Sequence, residues 1–200
     1  MYLMISDVLK PVVTRIISPM ARFFLRIGLT PNSVTVIGAL SVVISALYLF
    51  PRGQFFIATI IITLFMLSDL FDGAMARISA QGASKWGGFL DSTVDRVSDS
   101  AIIFGVCIYL IDRKDQLSTI YLIALVTGVL IPYIRAKAES MAIECSGGIA
   151  ERTERAIIVL VGTGLHGLGL SYALTISAWL LAILGVITTC QRLLIVKRAI

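Results

Sequence analysis

The sequence predicts an all-α integral membrane protein: six transmembrane helices preceded by an N-terminal amphipathic helix lying in the membrane interface. Composition points there first, since 58% of the 200 residues are hydrophobic and 14% charged, at a mean hydropathy of +0.94. Six apolar runs follow, at roughly 33–50, 54–80, 86–111, 116–142, 154–169 and 172–196, parted by breaks such as "FPRGQ", "DRKDQ", "CSGG" and "GLGLS". Finally, fourteen of the seventeen Lys and Arg residues fall on one side of such a topology, leaving Arg52, Arg113 and Lys114 on the other. Basic residues accumulate on the cytoplasmic side, so both termini are expected there, in a cell membrane. Two hundred residues hold about six spans of ~20 residues and little else, so one membrane domain over 1–200 is expected and no soluble catalytic domain.

Within residues 1–30, an apolar stripe through Val8, Val12, Ile16, Met20 and Phe23 is opposed by Arg15, Arg22 and Arg26, the pattern of an interfacial helix. A basic leader ahead of the first span is the alternative. Lys10, Pro11 and Pro19 interrupt the segment, and no compact apolar core ends in a cleavage site, which argues against a removed signal peptide. The first membrane helix opens at "TPNSVT", residues 30–35, a proline start with Asn32 or Ser33 as the cap. The second to fourth runs are long enough to project beyond the hydrocarbon, and the remaining two form residues 154–196. Cys107, Cys145 and Cys190 are odd in number and widely spaced, so they read as packing residues rather than a disulfide or zinc framework. His166, in "GLHGLGL", falls on the sparsely charged side.

One stretch departs from this apolar pattern. Residues 68–100, "SDLFDGAMARISAQGASKWGGFLDSTVDRVSDS", carry Asp69, Asp72, Asp91, Asp95 and Asp99. An ionised carboxylate in a membrane helix costs a few kcal/mol on insertion scales, so several together require a cation or a polar cavity. Asp69 and Asp72 are three apart and Asp91 and Asp95 four apart, so each pair shares a helical face. With the turn at 81–84, "QGAS", the legs from Asp72 and to Asp91 are nearly equal, and four carboxylates converge near the cytoplasmic surface. An all-oxygen set without His or Cys suits Mg²⁺ or Mn²⁺, and four carboxylates can hold two such ions as a clamp for displacement at phosphorus. Gly73 leaves room for a ligand beside the backbone, and Arg77 offers a planar fork for phosphate oxygens.

DxxDGxxAR at 69–77 followed by GxxxDxxxD at 87–95 resembles the signature of the CDP-alcohol phosphotransferase family, integral membrane enzymes that transfer a substituted phosphoryl group from a CDP-linked donor to an alcohol. Nine residues separate Arg77 from Gly87 where the usual spacing is eight; the extra residue falls in the turn and bears on the turn's contacts, not on the metal ligands. The resemblance implies that Asp69, Asp72, Asp91 and Asp95 bind two Mg²⁺ or Mn²⁺ ions. It implies that Gly73, Arg77 and Ser84, with Pro31, Asn32, Ser33 and Val34, contact the nucleotide or its diphosphate, and that Asp95 is also the general base.

Downstream, "IPYIRAKAES" supplies Arg135 and Lys137, "IAERTERA" supplies Arg152 and Arg155, and Arg192 lies near the end of the last run. These residues either anchor the protein among lipid headgroups or form a phosphate pocket beside the metals, which favours a phosphorylated acceptor. "DRVSDS", "RAKAE" and "ERTER" are most similar to the family's phosphatidylinositol phosphate synthases of actinobacteria. That implies transfer from CDP-diacylglycerol to inositol 1-phosphate, with glycerol 3-phosphate as the runner-up acceptor. Asp99 is expected to pair with Arg96 or a basic acceptor-site residue and takes no catalytic role. Membrane lipids are expected partners, a second copy of the chain is a candidate, and nucleic acid is not expected, since no reading element accompanies the charge. Intramembrane aspartates also mark cation transporters, but those favour charge near the midplane rather than at one surface. A non-catalytic scaffold has no need of the four-carboxylate spacing.

Overall fold

A computed structural model of the chain describes residues 19–67, 71, 74, 75, 78 and 84–200. Residues 19–26 are helical and end at Gly28, whose φ of 85° suits glycine. The Leu29 and Gly28 amides then bond back to Phe24 and Leu25, closing the helix. Six helices follow: α1 Pro31–Leu49, α2 Phe55–Met66, α3 Lys85–Asp112, α4 Leu117–Glu139, α5 Arg152–Gly167 and α6 Tyr172–Ala199. Of the amphipathic segment expected over residues 1–30, residues 1–18 lie outside the described residues. Residues 71, 74, 75 and 78, between α2 and α3, are also helical.

Several boundaries differ from the sequence expectation. The cap of α1 is Thr30, not Asn32 or Ser33: its Oγ1 accepts the Ser33 amide at 3.2 Å while Pro31 takes the first helical position. The run expected over 54–80 closes first at Met66, where the Leu67 amide donates to Thr63 O. At twelve residues, α2 is about 18 Å long, short of a hydrocarbon core. Helix α4 stops at Glu139 rather than 142 because the chain turns through Ala142 at a φ of 59°, and the Ile143 amide returns to Ala138 O.

The six helices pack as a closed ring in the order α1, α3, α4, α6, α5, α2, each held chiefly by two neighbours. Small residues set the seams. Gly105 of α3 lies on the Ala46 carbonyl of α1, Gly185 of α6 on Thr127 of α4, Gly162 of α5 on Ser177 of α6, and Gly167 of α5 on the Phe56 backbone of α2. Such packing is how helices associate where lipid removes the hydrophobic drive between them. Two of the seams carry hydroxyl contacts as well, Thr59 with Thr163 at 2.8 Å and Tyr121 with Ser177 at 2.7 Å. The interior is filled by Phe50, Phe55, Ile62, Ile102, Val106 and Tyr121, while Ile44, Leu64, Val126 and Leu180 point outward.

Among the described residues, α1, α4 and α6 are long and apolar enough to cross a membrane. Helix α3 has the length, but carries Asp91, Asp95, Arg96 and Asp99 up to its midpoint, and α5 has 16 residues. Arg52, Arg113 and His166 share one pole of the ring. The His166 ring meets Phe55 edge-on at 4.7 Å, and Arg113 stacks 3.7 Å over Tyr109. Cys107 and Cys145 are buried as packing residues; Cys190 is exposed and does not pack.

A methyl added at Gly105 would collide with the Ala46 backbone, whereas Gly128 has open space around it. Gly105→Ala should therefore lower stability by about 1–3 kcal/mol, the usual cost of overpacking. Gly128→Ala should be neutral or slightly stabilising. Thermal unfolding of both variants in detergent is the measurement, and equal midpoints would remove the α1–α3 seam as a tight contact.

Candidate active site

At the pole opposite His166, α3 presents Asp91, Asp95 and Asp99 at successive turns of one face. Asp95 is buried. Arg152, the first residue of α5, reaches across the ring to this face. Its Nη2 donates to Asp95 Oδ1 at 2.7 Å, and its Nε lies 3.3 Å from Asp99 Oδ2 and 3.4 Å from Oδ1. Arg96 Nη2 approaches Asp95 Oδ2 at 3.6 Å. The expected partner of Asp99 is thus Arg152, a residue assigned from sequence to the acceptor pocket.

A pocket open to the exterior lies beside these charges between α3, α4, α5 and α6. Arg96, Asp99, Arg152 and Arg155 form its polar part, and Ile103, Val129 and Leu181 are among its apolar walls. Arg155 Nη1 donates to Ala150 O at 2.8 Å, which fixes the guanidinium at the pocket wall. The other basic residues named from sequence stand differently. Arg192 is buried and gives Nε to Gly147 O at 3.0 Å and Nη1 to Ile131 O at 2.8 Å, with Glu151 3.9 Å from Nη2. Arg135 is exposed and pairs with Glu139 at 2.8 Å, and Lys137 is exposed on the same helix end.

The two segments read as nucleotide contacts do meet. Ser84 caps α3 by accepting the Gly87 amide at 2.9 Å, and a Cβ on Gly87 would lie 3.0 Å from Asn32 Oδ1. Pro31, Asn32, Ser33 and Val34 form the first turn of α1, so two helix N-termini stand side by side, each presenting amides suited to an anion. Asp69, Asp72, Gly73 and Arg77 lie outside the described residues. Between and beside them Ala74 and Met75 are buried against Ala21, and Phe71 meets Phe24 edge-on at 6.0 Å, so helix 19–26 abuts this segment.

The described half of the expected donor set is two carboxylates one turn apart, an oxygen-only chemistry that fits a hard divalent cation. No group of three His, Cys, Asp or Glu gathers among the described residues, as expected when the other two aspartates are not among them. Arg96, for which the sequence suggests only a pairing role, also lines the pocket beside Asp95. Thr188 and Gln191, which hold the α4–α5 connection, carry no chemical signature because their side chains accept from backbone amides.

Residues 28–191 match the family model for CDP-alcohol phosphatidyltransferase. A phosphatidylinositol phosphate synthase of Streptomyces avermitilis is 38% identical over 204 aligned positions, covering 98% of this chain and 83% of the relative. Two solved structures of the Mycobacterium tuberculosis phosphatidylinositol phosphate synthase are close in fold. One, with CDP-DAG bound, has a TM-score of 0.87 at 43% identity over 91% of this chain and 94% of that one. The other, in complex with manganese and citrate, has a TM-score of 0.85 at 42% identity over 90% and 88%. The chain belongs to the CDP-alcohol phosphatidyltransferase family and is a membrane enzyme of that kind.

The pairing of α5 with α3 makes a measurable claim. Asp99 and Arg152 are each about three-quarters buried at the side chain, so Asp99→Ala, Arg152→Ala and the double variant should show a coupling of about 0.5–3 kcal/mol in unfolding free energy. Strict additivity would mean the contact contributes nothing.

Proposed function

We propose that this member of the CDP-alcohol phosphatidyltransferase family transfers the phosphatidyl group of CDP-diacylglycerol to inositol 1-phosphate, giving phosphatidylinositol phosphate and CMP. The observation that carries the reading is Arg152, which touches the carboxylates of Asp95 and Asp99 and lines the pocket together with Arg155. An acidic face and a cationic pocket thereby share a wall, as a reaction between a diphosphate and a phosphorylated alcohol requires. The relatives named as phosphatidylinositol phosphate synthases, one with CDP-DAG bound, support the donor and acceptor.

In this reading Asp69, Asp72, Asp91 and Asp95 hold two Mg²⁺ ions, or Mn²⁺, the ion in a related structure. Ions held there would supply the positive charge that neutralises the donor diphosphate and polarises it toward substitution. Pro31 to Val34 (with Asn32 and Ser33 between), Ser84, Gly73 and Arg77 bind the nucleotide end, the first two groups through the adjoining helix N-termini. An Asp95 carboxylate oxygen takes the proton from the acceptor hydroxyl, whose oxygen attacks the phosphorus that bears diacylglycerol as the bond to CMP breaks. Arg152, Arg155, Arg135, Lys137 and Arg192 supply the positive field for the acceptor phosphate, Arg192 through the backbone it orders. The six-helix bundle sits in the plasma membrane as one domain over 1–200, its short α2 and α5 reaching through less of the bilayer than their neighbours, with residues 1–30 in the interface and both termini and the site cytoplasmic. A homodimer is the form carried for the assembly.

Purified protein with CDP-diacylglycerol, Mg²⁺ and each labelled acceptor tests this directly. Inositol 1-phosphate should give CMP release above glycerol 3-phosphate, and free inositol should react poorly because it leaves the cations unpaired. Asp91→Asn should abolish turnover while the protein still folds. Arg155→Ala should raise the inositol 1-phosphate KM roughly tenfold to a hundredfold, the usual size of a lost charge-assisted contact. Free inositol working as well as its phosphate would sink the acceptor assignment; cation flux without CMP release would favour a transporter.

Sidedness has its own readout. A cysteine at Ser146 should label from the cytoplasm and one at Arg113 from the opposite face, and the reverse pattern would overturn the orientation.

A further inference from the structure

Between α4 and α5 the chain runs as an irregular strap, residues 140–151, across the end of α6. The strap makes no regular structure, yet its second half is tied down at successive residues. The Ile149 amide donates to Gln191 Oε1 at 3.2 Å, and the Ala150 amide to Thr188 Oγ1 at 3.1 Å. Gly148, at a φ of 130°, lies against the Thr188 methyl so closely that a Cβ would collide with it. Ala150 and Thr188 are both fully buried, so water cannot replace Thr188 as the acceptor for that amide. The other face of the same residue matters to the pocket, because Ala150 O accepts Arg155 Nη1 at 2.8 Å.

We infer that Thr188 is a positioning residue for the acceptor pocket: its hydroxyl fixes the Ala150 peptide, and the Ala150 carbonyl fixes the Arg155 guanidinium for the phosphate of the acceptor. The inference rests on the proposed function for the identity of the ligand, and on hydrogen bonds alone for the positioning. Both ends of the relay are rigid. Thr188 sits on a regular helix, and Arg155 belongs to the first turn of α5, whose own amide bonds to Glu151 O. Removing the hydroxyl strands a buried amide, which is relieved only if the strap lifts from α6, and lifting it withdraws the carbonyl that aims Arg155. Gln191 makes the neighbouring tie and should act in the same direction with a smaller effect, since Ile149 is exposed.

The variants follow from the chemistry. Thr188→Val keeps the shape and removes the acceptor atom, Thr188→Ser keeps the acceptor atom, and Gln191→Met removes the second tie at a more exposed position that tolerates change. Cys145 reports on the strap independently of turnover: it is buried, with Sγ 3.9 Å from Arg192 O, and becomes reactive to maleimide only when the strap lifts. In a Cys190→Ala background, which removes the exposed thiol, Thr188→Val should label at Cys145 at least several-fold faster. It should also raise the KM for inositol 1-phosphate about tenfold, leaving the KM for CDP-diacylglycerol within about twofold. Thr188→Ser should restore both values, and Gln191→Met should show the same split at a few-fold. Faster labelling with an unchanged acceptor KM, or an equal rise in both KM values, would overturn the inference. If Thr188→Val does not fold, Gln191→Met decides by the same split. If the unmutated protein uses neither inositol 1-phosphate nor glycerol 3-phosphate, the proposed function fails. The relay is then judged by whether Thr188→Val still speeds Cys145 labelling, with unchanged labelling counting against it.

Discussion

Arg152 holds two carboxylates of α3 from the first residue of α5, and much of the architecture follows from that bridge. Asp95 is buried in a bundle whose surroundings are apolar, where an unpaired charge would cost several kcal/mol. Its compensation arrives from the opposite side of the pocket, so α5 must begin at the depth of Asp95 and Asp99. That requirement explains why the chain between α4 and α5 is a shaped strap. It turns at Ala142, Gly147 and Gly148, all at positive φ, and delivers Arg152 at the right height. The short α5 is then a consequence, since it starts inside the end plane of its longer neighbours.

The ring supplies the rigidity that such a bridge needs. Glycine or a small hydroxyl residue sits at the tight point of four seams, where backbones approach to a distance that no larger side chain allows. Hydroxyl pairs such as Thr59 with Thr163 then fix how the helices slide past one another. With the helices fixed in register, the first turns of α1 and α3 stand together at the polar pole, and both are capped by their own hydroxyl residues. The paired helix N-termini and the arginine-lined pocket are therefore set by the same packing.

The sequence made some of this visible and hid the rest for physical reasons. Apolar runs revealed all six helices because a bundle facing lipid needs apolar surface nearly everywhere, and the spacing of Asp91 and Asp95 on one face follows from helical periodicity. The cap of α1 was misplaced by two or three residues because Thr30, Asn32 and Ser33 are all capping types, and only backbone conformation selects among them. The early close of α2 carries no Gly or Pro signal at Met66 and Leu67, and the Ser68–Asp69 pair that follows is equally compatible with a continuing helix. Arginine signals charge without saying what the charge serves. Arg192 spends its donors on Gly147 and Ile131 carbonyls, Arg135 pairs within its own helix, and Arg155 divides between a carbonyl and the pocket.

That division of labour bears on how the pocket selects its ligand. Five basic side chains near one pole would make an indiscriminate anion trap if all were free to follow any phosphate, because long cationic side chains adapt readily. Here Arg192 and Arg155 are held by backbone carbonyls, of which Gly147 O and Ala150 O belong to a strap fixed on α6 through Thr188 and Gln191. A guanidinium held by a rigid partner has lost its rotamer freedom before any ligand arrives, so less is lost on binding. It also offers its remaining donors in one direction only. If the pocket takes the acceptor as proposed, selectivity for a phosphate at a fixed distance from the reacting hydroxyl depends on neutral groups, a threonine hydroxyl and two peptide units, as much as on the charges themselves.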